Sequence, residues 1–161
     1  MGAGKTTYGQ RLSQIWDMLF VDTDRQIEEE EGMDIASIFD KKGESYFREK
    51  EQKLVADISG KNNLIIATGG GIIKNERNME LLKKNGIIVY LKATPEKIFE
   101  NLKGDDTRPL LLGDDKFSII EKLLNERETF YEKQCDIAFD VSIGDADHII
   151  KCLVDSLEGV L

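Results

Sequence analysis

Short apolar runs alternate along the chain with longer segments in which apolar residues recur at helical spacing. The apolar runs occupy residues 19–21, 64–67, 87–91 and 137–139. Runs of this length without polar alternation are typical of parallel strands that are covered on both faces. Strands of this kind separated by helices predict an α/β fold, with three layers around a central parallel sheet.

The helical segments are marked by capping residues as well as by spacing. Asp34 precedes one segment, Thr94 and Pro95 begin another, and Gly32 and Gly86 follow the ends of two more. These residue types are favoured at helix starts and stops because they satisfy or tolerate the end geometry of the backbone. The predicted helices span 5–16, 24–31, 34–42, 44–58, 75–84, a short stretch from 94, 117–133 and 146–157.

The start of the chain, Gly2-Ala3-Gly4-Lys5-Thr6-Thr7, matches the second half of a phosphate-binding P-loop. Small residues let backbone N–H groups converge on phosphate oxygens, Lys5 adds a cation for the outer phosphates, and the Thr6 hydroxyl is placed to ligate Mg²⁺. A flexible glycine-rich tail is the alternative interpretation.

The P-loop motif is incomplete in this sequence. Its first glycine would fall one position before Met1, and the central strand that feeds such a loop is absent. Without that strand, the neighbouring strands at 64–67 and 87–91 would face each other unpaired. We therefore expect further residues upstream of Met1.

Polar residues and glycines follow two of the predicted strands directly. Asp22 and Asp24 come after the run 19–21, and Thr68-Gly69-Gly70-Gly71 comes after the run 64–67. Open α/β sheets bind ligands at the carboxyl ends of their strands, and glycines let a ligand approach the backbone closely. These residues are therefore candidates for a binding site. The alternative for the two aspartates is an ordinary helix cap or turn.

Composition and charge narrow the functional classes. The 161 residues fit a single domain, and the net charge of −9 argues against nucleic acid or an anionic membrane surface as partner, since both attract a basic face. No secretory signal or long apolar run is recognised, and Cys135 and Cys152 lack zinc-type spacing, so we expect reduced thiols in a cytoplasmic protein. His148 is interpreted as a surface residue, and the acidic run 28–31 as a solvated helix face.

Residues 103–116 form a polar segment that is rich in turn formers and contains Arg108-Pro109. The segment is long for a plain connection between two elements. Loops of this kind often close over an active site, so the segment is predicted to be a lid. The alternative is that Arg108 is an ordinary turn residue.

Six motifs occur in one order over nearly the whole chain: Gly2-Ala3-Gly4-Lys5-Thr6-Thr7, Phe20-x-Asp22-x-Asp24, Gly43-Glu44-x-x-Phe47-Arg48-x-x-Glu51, Gly69-Gly70-Gly71, Arg108-Pro109-Leu110-Leu111 and Arg127-x-x-x-Tyr131. Together they resemble the shikimate kinase family. The resemblance implies a small P-loop kinase that phosphorylates the 3-hydroxyl of shikimate with MgATP. It also implies a substrate-binding region at about 24–59 and a lid at about 103–116 within the one domain. We expect a monomer whose partner is the small-molecule substrate.

The resemblance assigns nucleotide-side roles to several residues. Residues 2–7 hold the ATP phosphates, with Lys5 as a catalytic cation and Thr6 as a Mg²⁺ ligand. Asp22 matches a position near the metal that acts through water. Arg108 matches the lid arginine that closes over the nucleotide and takes part in catalysis. Residues 100–103 contain no arginine, so no contact to the adenine is assigned.

The resemblance also assigns the substrate side. Asp24 matches the carboxylate that binds substrate hydroxyls, including the one that attacks, and Gly70 and Gly71 match the backbone beneath the substrate ring. Arg48 and Arg127 match the residues that bind the shikimate carboxylate. The planar fork of an arginine suits such a carboxylate in two-point contact.

Several alternatives remain at this stage. Arg48 with Glu51, or Arg127 with a neighbouring glutamate, is read alternatively as a surface ion pair. A gluconate-type or nucleoside monophosphate kinase of the same P-loop group is the second candidate activity. A non-catalytic binding or regulatory domain is a third, and thermal stabilisation by MgATP is a simple test of nucleotide binding.

Overall fold

The structure, a computed structural model, describes residues 2–103 and 115–159. Its elements are α1 (Lys5–Ile15), β1 (Leu19–Asp22), α2 (Thr23–Glu31), α3 (Ile35–Ile58), β2 (Leu64–Ala67), α4 (Glu76–Asn85), β3 (Val89–Lys92), α5 (Pro95–Asn101), α6 (Lys116–Gln134), β4 (Ile137–Asp140) and α7 (Ala146–Leu157), with a 3₁₀ turn, Ile72–Lys74, between β2 and α4. The predicted alternation of helices and strands is confirmed.

All strand pairs are parallel, but they form two separate sheets in the described part of the chain. β1 pairs with β2, from Leu19 opposite Leu64 to Asp22 opposite Ala67. β3 pairs with β4 in the same way. Between β2 and β3 lies a cavity of about 1030 Å³, which both strands and α1 line. The edges of β2 and β3 that face this cavity make no strand pairing among the described residues.

Helices cover both faces of the strands. On one face, Ile65 packs against a core cluster that includes Leu12 of α1 and Leu153 of α7. On the other face, Leu64 and Ile66 pack against clusters built from α2, α3 and α4. The side chains of a strand point alternately to its two faces, so this division gives the three layers that the apolar runs predict.

The predicted division between helices 34–42 and 44–58 is confirmed, whereas the predicted start of a strand is not. α3 breaks at Gly43, where φ is 86° and ψ is 160°, so the two predicted helices are its two halves. Glycine tolerates this positive φ at little cost. β3 begins two residues after the predicted start at 87, because Ile88 still accepts the N–H groups of Asp136 and Ile137 outside the ladder.

None of the described helices is long and apolar enough to cross a membrane.

Candidate active site

The glycine-containing turn before α1 presents backbone N–H groups at a helix start. Gly2 and Gly4 have φ values of 65° and 83°, in the left-handed region, and Ala3 is buried in the core beneath the turn. Every other described α-helix begins at a residue whose side chain accepts a backbone N–H, whereas Gly4 offers α1 no side-chain cap. The positive end of α1 therefore has no side-chain cap from Gly4, and such a helix end favours an external anion.

Thr6 and Asp22 meet beside this turn. The Thr6 hydroxyl donates to Oδ2 of Asp22 at 2.7 Å, which joins the first turn of α1 to the end of β1. Lys5 and Thr7 flank Thr6 in the same first turn. A hydroxyl and a carboxylate are oxygen donors of the kind that Mg²⁺ accepts when nucleotide phosphates complete its shell. The residues present therefore fit a magnesium ion held with a nucleotide.

Asp22 also caps a helix, as its alternative interpretation predicted. Its Oδ1 accepts the backbone N–H of Asp24 at 3.2 Å and that of Arg25 at 3.3 Å, at the start of α2. The two oxygens of one carboxylate thus serve two purposes. The cap fixes the side chain in place while the other oxygen faces Thr6.

Asp24 lies against the glycine run that follows β2. A Cβ atom added to Gly69 would stand 2.5 Å from Oδ1 of Asp24, so only glycine permits this approach. The neighbouring Thr23 is fully buried, and its hydroxyl accepts the backbone N–H of Gly69 at 3.3 Å. This hydrogen bond ties the start of α2 to the exit of β2 and fixes where Asp24 stands.

Arg48 lies over Gly71 in the same region. A Cβ atom on Gly71 would stand 2.5 Å from Nη2 of Arg48. Nη1 of Arg48 bonds to Glu51, at 3.0 Å from Oε2, and Nε and Nη2 bond to Oε1 of Glu44 at 3.2 and 2.9 Å. Burial opposes the charge on Arg48, but Glu51 and Glu44 outweigh it, so the pKa of the guanidinium lies above its ordinary value. The side chain is therefore a fixed cation.

The alternative interpretation of Arg48 and Glu51 as a surface ion pair is wrong in one respect. The two residues do pair, but Glu51 is only 1% exposed. Burial raises the pKa of Glu51, and the charge of Arg48 counters part of that rise. A buried carboxylate of this kind holds the arginine at a defined place, since leaving it unpaired would be costly.

Arg127 lies on α6, one turn before a residue that contacts the glycine run. It is only 6% exposed, so its alternative interpretation as a surface ion pair is wrong. Its Nε has no hydrogen-bond partner among the described residues. One turn later, Tyr131 donates its hydroxyl to the carbonyl of Gly70 at 2.6 Å. Burial raises the pKa of Tyr131, and the nearby Arg127 works against that rise.

The predicted site residues thus fall into two adjoining groups. Residues 2–7 and Asp22 surround the start of α1, while Asp24 and Arg48 lie against the run Gly69-Gly70-Gly71. Arg127 lies one turn before Tyr131, which bonds to Gly70 of the same run. Arg108 lies outside the described residues, as does most of the predicted lid at 103–116.

Three contributors at this site were given no role from the sequence, although Glu44 and Tyr131 belong to the six motifs. Glu44 stands four residues before Arg48 on α3, and Tyr131 four residues after Arg127 on α6. This spacing places each pair on one helix face, which is the local signal that points to them. Thr23 carries no such signal, because its bond to Gly69 joins residues 46 apart in the chain.

The acidic run 28–31 is not simply a solvated face, which corrects the prediction. Glu31 is 5% exposed and pairs with Lys42 and Lys50 of α3. The hydroxyl of Tyr46 also donates to it at 3.0 Å. These hydrogen bonds lower the pKa of Glu31 to about 2, Lys42 contributing most. Glu31 thus joins α2 to α3.

Comparisons with known proteins agree with this geometry. A family model described as shikimate kinase matches residues 1–158. Shikimate kinases of Caldicellulosiruptor bescii and Caldanaerobacter subterraneus subsp. tengcongensis are 46% and 45% identical, over 89% and 88% of this chain and 83% and 82% of their own lengths. The solved structure of shikimate kinase from Acinetobacter baumannii in complex with shikimate has a TM-score of 0.91 at 35% identity, covering 100% of this chain and 90% of that one.

The fold and the site define a class of protein. A parallel α/β fold with a phosphate-binding turn at its first helix, beside carboxylate and arginine side chains at a neighbouring strand exit, is that of a P-loop kinase for a small molecule. The family model and the relatives extend over nearly the whole chain. The chain belongs to the shikimate kinase family.

Proposed function

We propose that the protein transfers the γ-phosphoryl group of ATP to the 3-hydroxyl of shikimate. The observation that carries this proposal is the convergence of Asp24 and Arg48 on the glycine run after β2, beside the Thr6–Asp22 pair of the nucleotide side. Shikimate offers hydroxyls to a carboxylate and a carboxylate to an arginine. The bound shikimate in the Acinetobacter baumannii relative supports the same ligand class.

On the nucleotide side, the backbone of residues 2–7 holds the phosphates and Lys5 neutralises the outer ones. Thr6 would ligate Mg²⁺, and Asp22 beside it would help to hold the ion. When bound, the metal neutralises charge on the phosphate oxygens. Arg108 is assigned to the lid that closes over the nucleotide, and this remains a prediction because it lies outside the described residues.

On the substrate side, Arg48 and Arg127 bind the shikimate carboxylate, and Gly70 and Gly71 lie beneath its ring. Arginine matches this anion because its planar fork donates two parallel hydrogen bonds. The burial of Arg127 and its Nε without a partner among the described residues support its role as a ligand group. A buried donor without a partner is costly unless a ligand satisfies it.

Asp24 positions the attacking hydroxyl. The 3-oxygen forms a bond to the γ-phosphorus, the bond from that phosphorus to the bridging oxygen of ADP breaks, and the hydroxyl proton passes to the Asp24 carboxylate. Phosphoryl transfer depends more on alignment and charge stabilisation than on a strong base. The hydrogen bonds that fix Thr23 and Gly69 therefore matter for the rate, because they fix Asp24.

A coupled assay of ADP release, with shikimate, gluconate and nucleoside monophosphates as separate acceptors, tests this function. We expect turnover with shikimate alone and a product phosphorylated at the 3-oxygen, which phosphorus NMR identifies. Turnover of gluconate or a nucleoside monophosphate with none of shikimate would overturn the proposal.

A further inference from the structure

The fork of Arg48 is already occupied by protein carboxylates. Glu51 binds Nη1, while a single oxygen of Glu44 accepts from both Nε and Nη2, at 3.2 and 2.9 Å. Nε and Nη2 form the edge of a guanidinium that binds a carboxylate in two-point contact. The edge best suited to an incoming carboxylate is therefore filled by Glu44.

The two glutamates differ in how readily they can leave. Glu51 is 1% exposed, whereas Glu44 is 56% exposed. An exposed carboxylate is rehydrated when it separates from an arginine, so the separation costs little free energy. A buried carboxylate is not rehydrated, so its separation is costly. Glu44 also follows the break at Gly43, where a Cβ atom would meet nothing within 4 Å. Nothing close at that break obstructs a change in the backbone that carries Glu44.

The charges around Arg48 also favour the release of Glu44 when a carboxylate binds. Asp24 and Glu44 both act on Glu51 as like charges, so three carboxylates share the surroundings of one guanidinium. An incoming carboxylate would add a fourth negative charge at this place. Release of Glu44 would relieve that repulsion and free the donors at the same step.

We propose that Glu44 is an internal competitor of the substrate carboxylate, which holds Arg48 in the free enzyme and is displaced when the substrate binds. The proposal rests on the proposed function, since it assigns the displacing carboxylate to shikimate. Glu44 is thus a positioning residue that keeps Arg48 in place over Gly71 and sets the affinity for the acid. Because the substrate carboxylate replaces Glu44 on Arg48, binding depends on the carboxylate of the ligand.

The test compares Glu44→Gln with Glu49→Gln, a matched control that removes one charge from an exposed position of the same helix. Calorimetric Kd and the KM for shikimate are measured with each variant. Exposed ion pairs correspond to about two- to fivefold in an equilibrium constant, so Glu44→Gln should tighten shikimate binding by about that factor. Glu49→Gln should leave the Kd unchanged.

The methyl ester of shikimate separates competition from a structural effect. The ester retains the ring hydroxyls but lacks the charge that would displace Glu44. Glu44→Gln should therefore increase the affinity for the ester much less than the affinity for shikimate. Weaker or unchanged shikimate binding in Glu44→Gln overturns the proposal, as does an equal gain for the ester or for Glu49→Gln. If the unmodified protein turns over another acceptor but no shikimate, the proposed function itself fails, and this inference fails with it.

Discussion

At the scale of single residues, two glycines shape the site because they have no side chain. Cβ atoms at Gly69 and Gly71 would each stand 2.5 Å from a polar atom, of Asp24 in the first case and of Arg48 in the second. The two functional side chains occupy the space that the glycines leave. The backbone of the glycine run and the side chains of Asp24 and Arg48 are therefore packed together.

Gly71→Ala should weaken shikimate binding with little effect on folding. The added methyl group would meet the flexible end of Arg48, which moves aside more easily than backbone does. A hydrogen bond to a charged group contributes about 1.5–3 kcal/mol, so we expect the KM for shikimate to rise by about ten- to a hundredfold. The KM for ATP and the melting temperature should change little.

Gly60→Ala is the control for this substitution, because a Cβ atom at Gly60 would meet nothing within 4 Å. Kinetics and thermal melts of both variants are measured side by side. An unchanged shikimate KM in Gly71→Ala would show that Arg48 does not bind the substrate from its position over this glycine.

Asp24→Asn should act mainly on the rate. The amide keeps the size of the side chain but is a weaker acceptor for the attacking hydroxyl, so alignment and proton acceptance are both impaired. Loss of a positioned acid–base group typically costs about 10²–10⁴-fold, and we expect kcat to fall within that range. The exposed Asp57→Asn on α3 serves as control. A kcat within a factor of about two of the original would contradict the role of Asp24.

The sequence predicts the residues that end strands better than the contacts they make. Asp24 and the glycine run are visible because polar residues and glycines follow apolar runs directly. The bond from Tyr131 to Gly70 joins residues 61 apart, and no local pattern encodes it. The burial of Arg127 likewise depends on how α6 packs against the rest of the protein. Its neighbours Glu126 and Glu128 suggest an exposed position in the sequence.

At the scale of elements, local capping signals predict helix starts well. Asp34 caps α3, Thr94 caps α5, and Asp145 caps α7, which spans the predicted residues 146–157. The start of β3 is less predictable, since Ile87 and Ile88 continue the apolar run but the ladder with β4 begins only at Val89. Pairing, and not hydrophobicity, sets that boundary.

One buried carboxylate adds ion pairs to the apolar contact of α2 with α3. Glu31 pairs with Lys42 before the break at Gly43 and with Lys50 after it, so it holds both halves of α3. The second half carries Arg48. The orientation of Arg48 is therefore coupled to Glu31.

Glu31→Gln should lower the melting temperature near neutral pH. The folded-state pKa of about 2 lies below the ordinary value, so the stabilisation is fully present above the unfolded-state pKa and is lost as the pH falls through about 2. The difference in melting temperature between the two proteins should therefore shrink as the pH is lowered from about 5 towards 2, since the unfolded-state pKa is about 4.3.

Glu30→Gln is the matched control, because Glu30 is exposed and accepts only a 3.4 Å hydrogen bond from Gln26 among those described. Thermal melts followed by circular dichroism at several pH values give the comparison. If Glu30→Gln and Glu31→Gln lowered the melting temperature equally, net charge and not the contact with α3 would explain the effect.

At the scale of the whole molecule, the site lies beside a cavity that separates two sheets. β2 delivers the glycine run and β3 lies across the cavity from it, without strand pairing between them in the described residues. Tyr90 of β3 stacks on Tyr131 at 4.9 Å between ring centroids, and its buried hydroxyl has no hydrogen-bond partner among the described residues. Strand edges and a buried hydroxyl without partners among the described residues are unfavourable, so this region can gain stability from further pairing.

An apolar strand fused in front of Met1 should therefore stabilise the protein and tighten ATP binding together. A strand of about six residues matches the usual strand length, and each buried apolar side chain contributes about 1.5–3 kcal/mol. A gain of 1 kcal/mol raises the melting temperature of a chain of this size by about 2–4 °C, so several such side chains should raise it by about 10 °C or more. The fused segment ends in glycine, so that the turn before α1 is continued and the phosphates meet a longer run of backbone N–H groups.

A fused segment of equal length made of polar residues and proline is the control, because proline cannot donate to a ladder and polar side chains do not suit the apolar lining of the cavity. Thermal melts and ATP titrations are made on both fusions. Equal melting temperatures for the two would mean that the apolar segment does not enter between β2 and β3. A stabilised fusion with unchanged ATP affinity would mean that the strand fills the cavity without ordering the phosphate-binding turn.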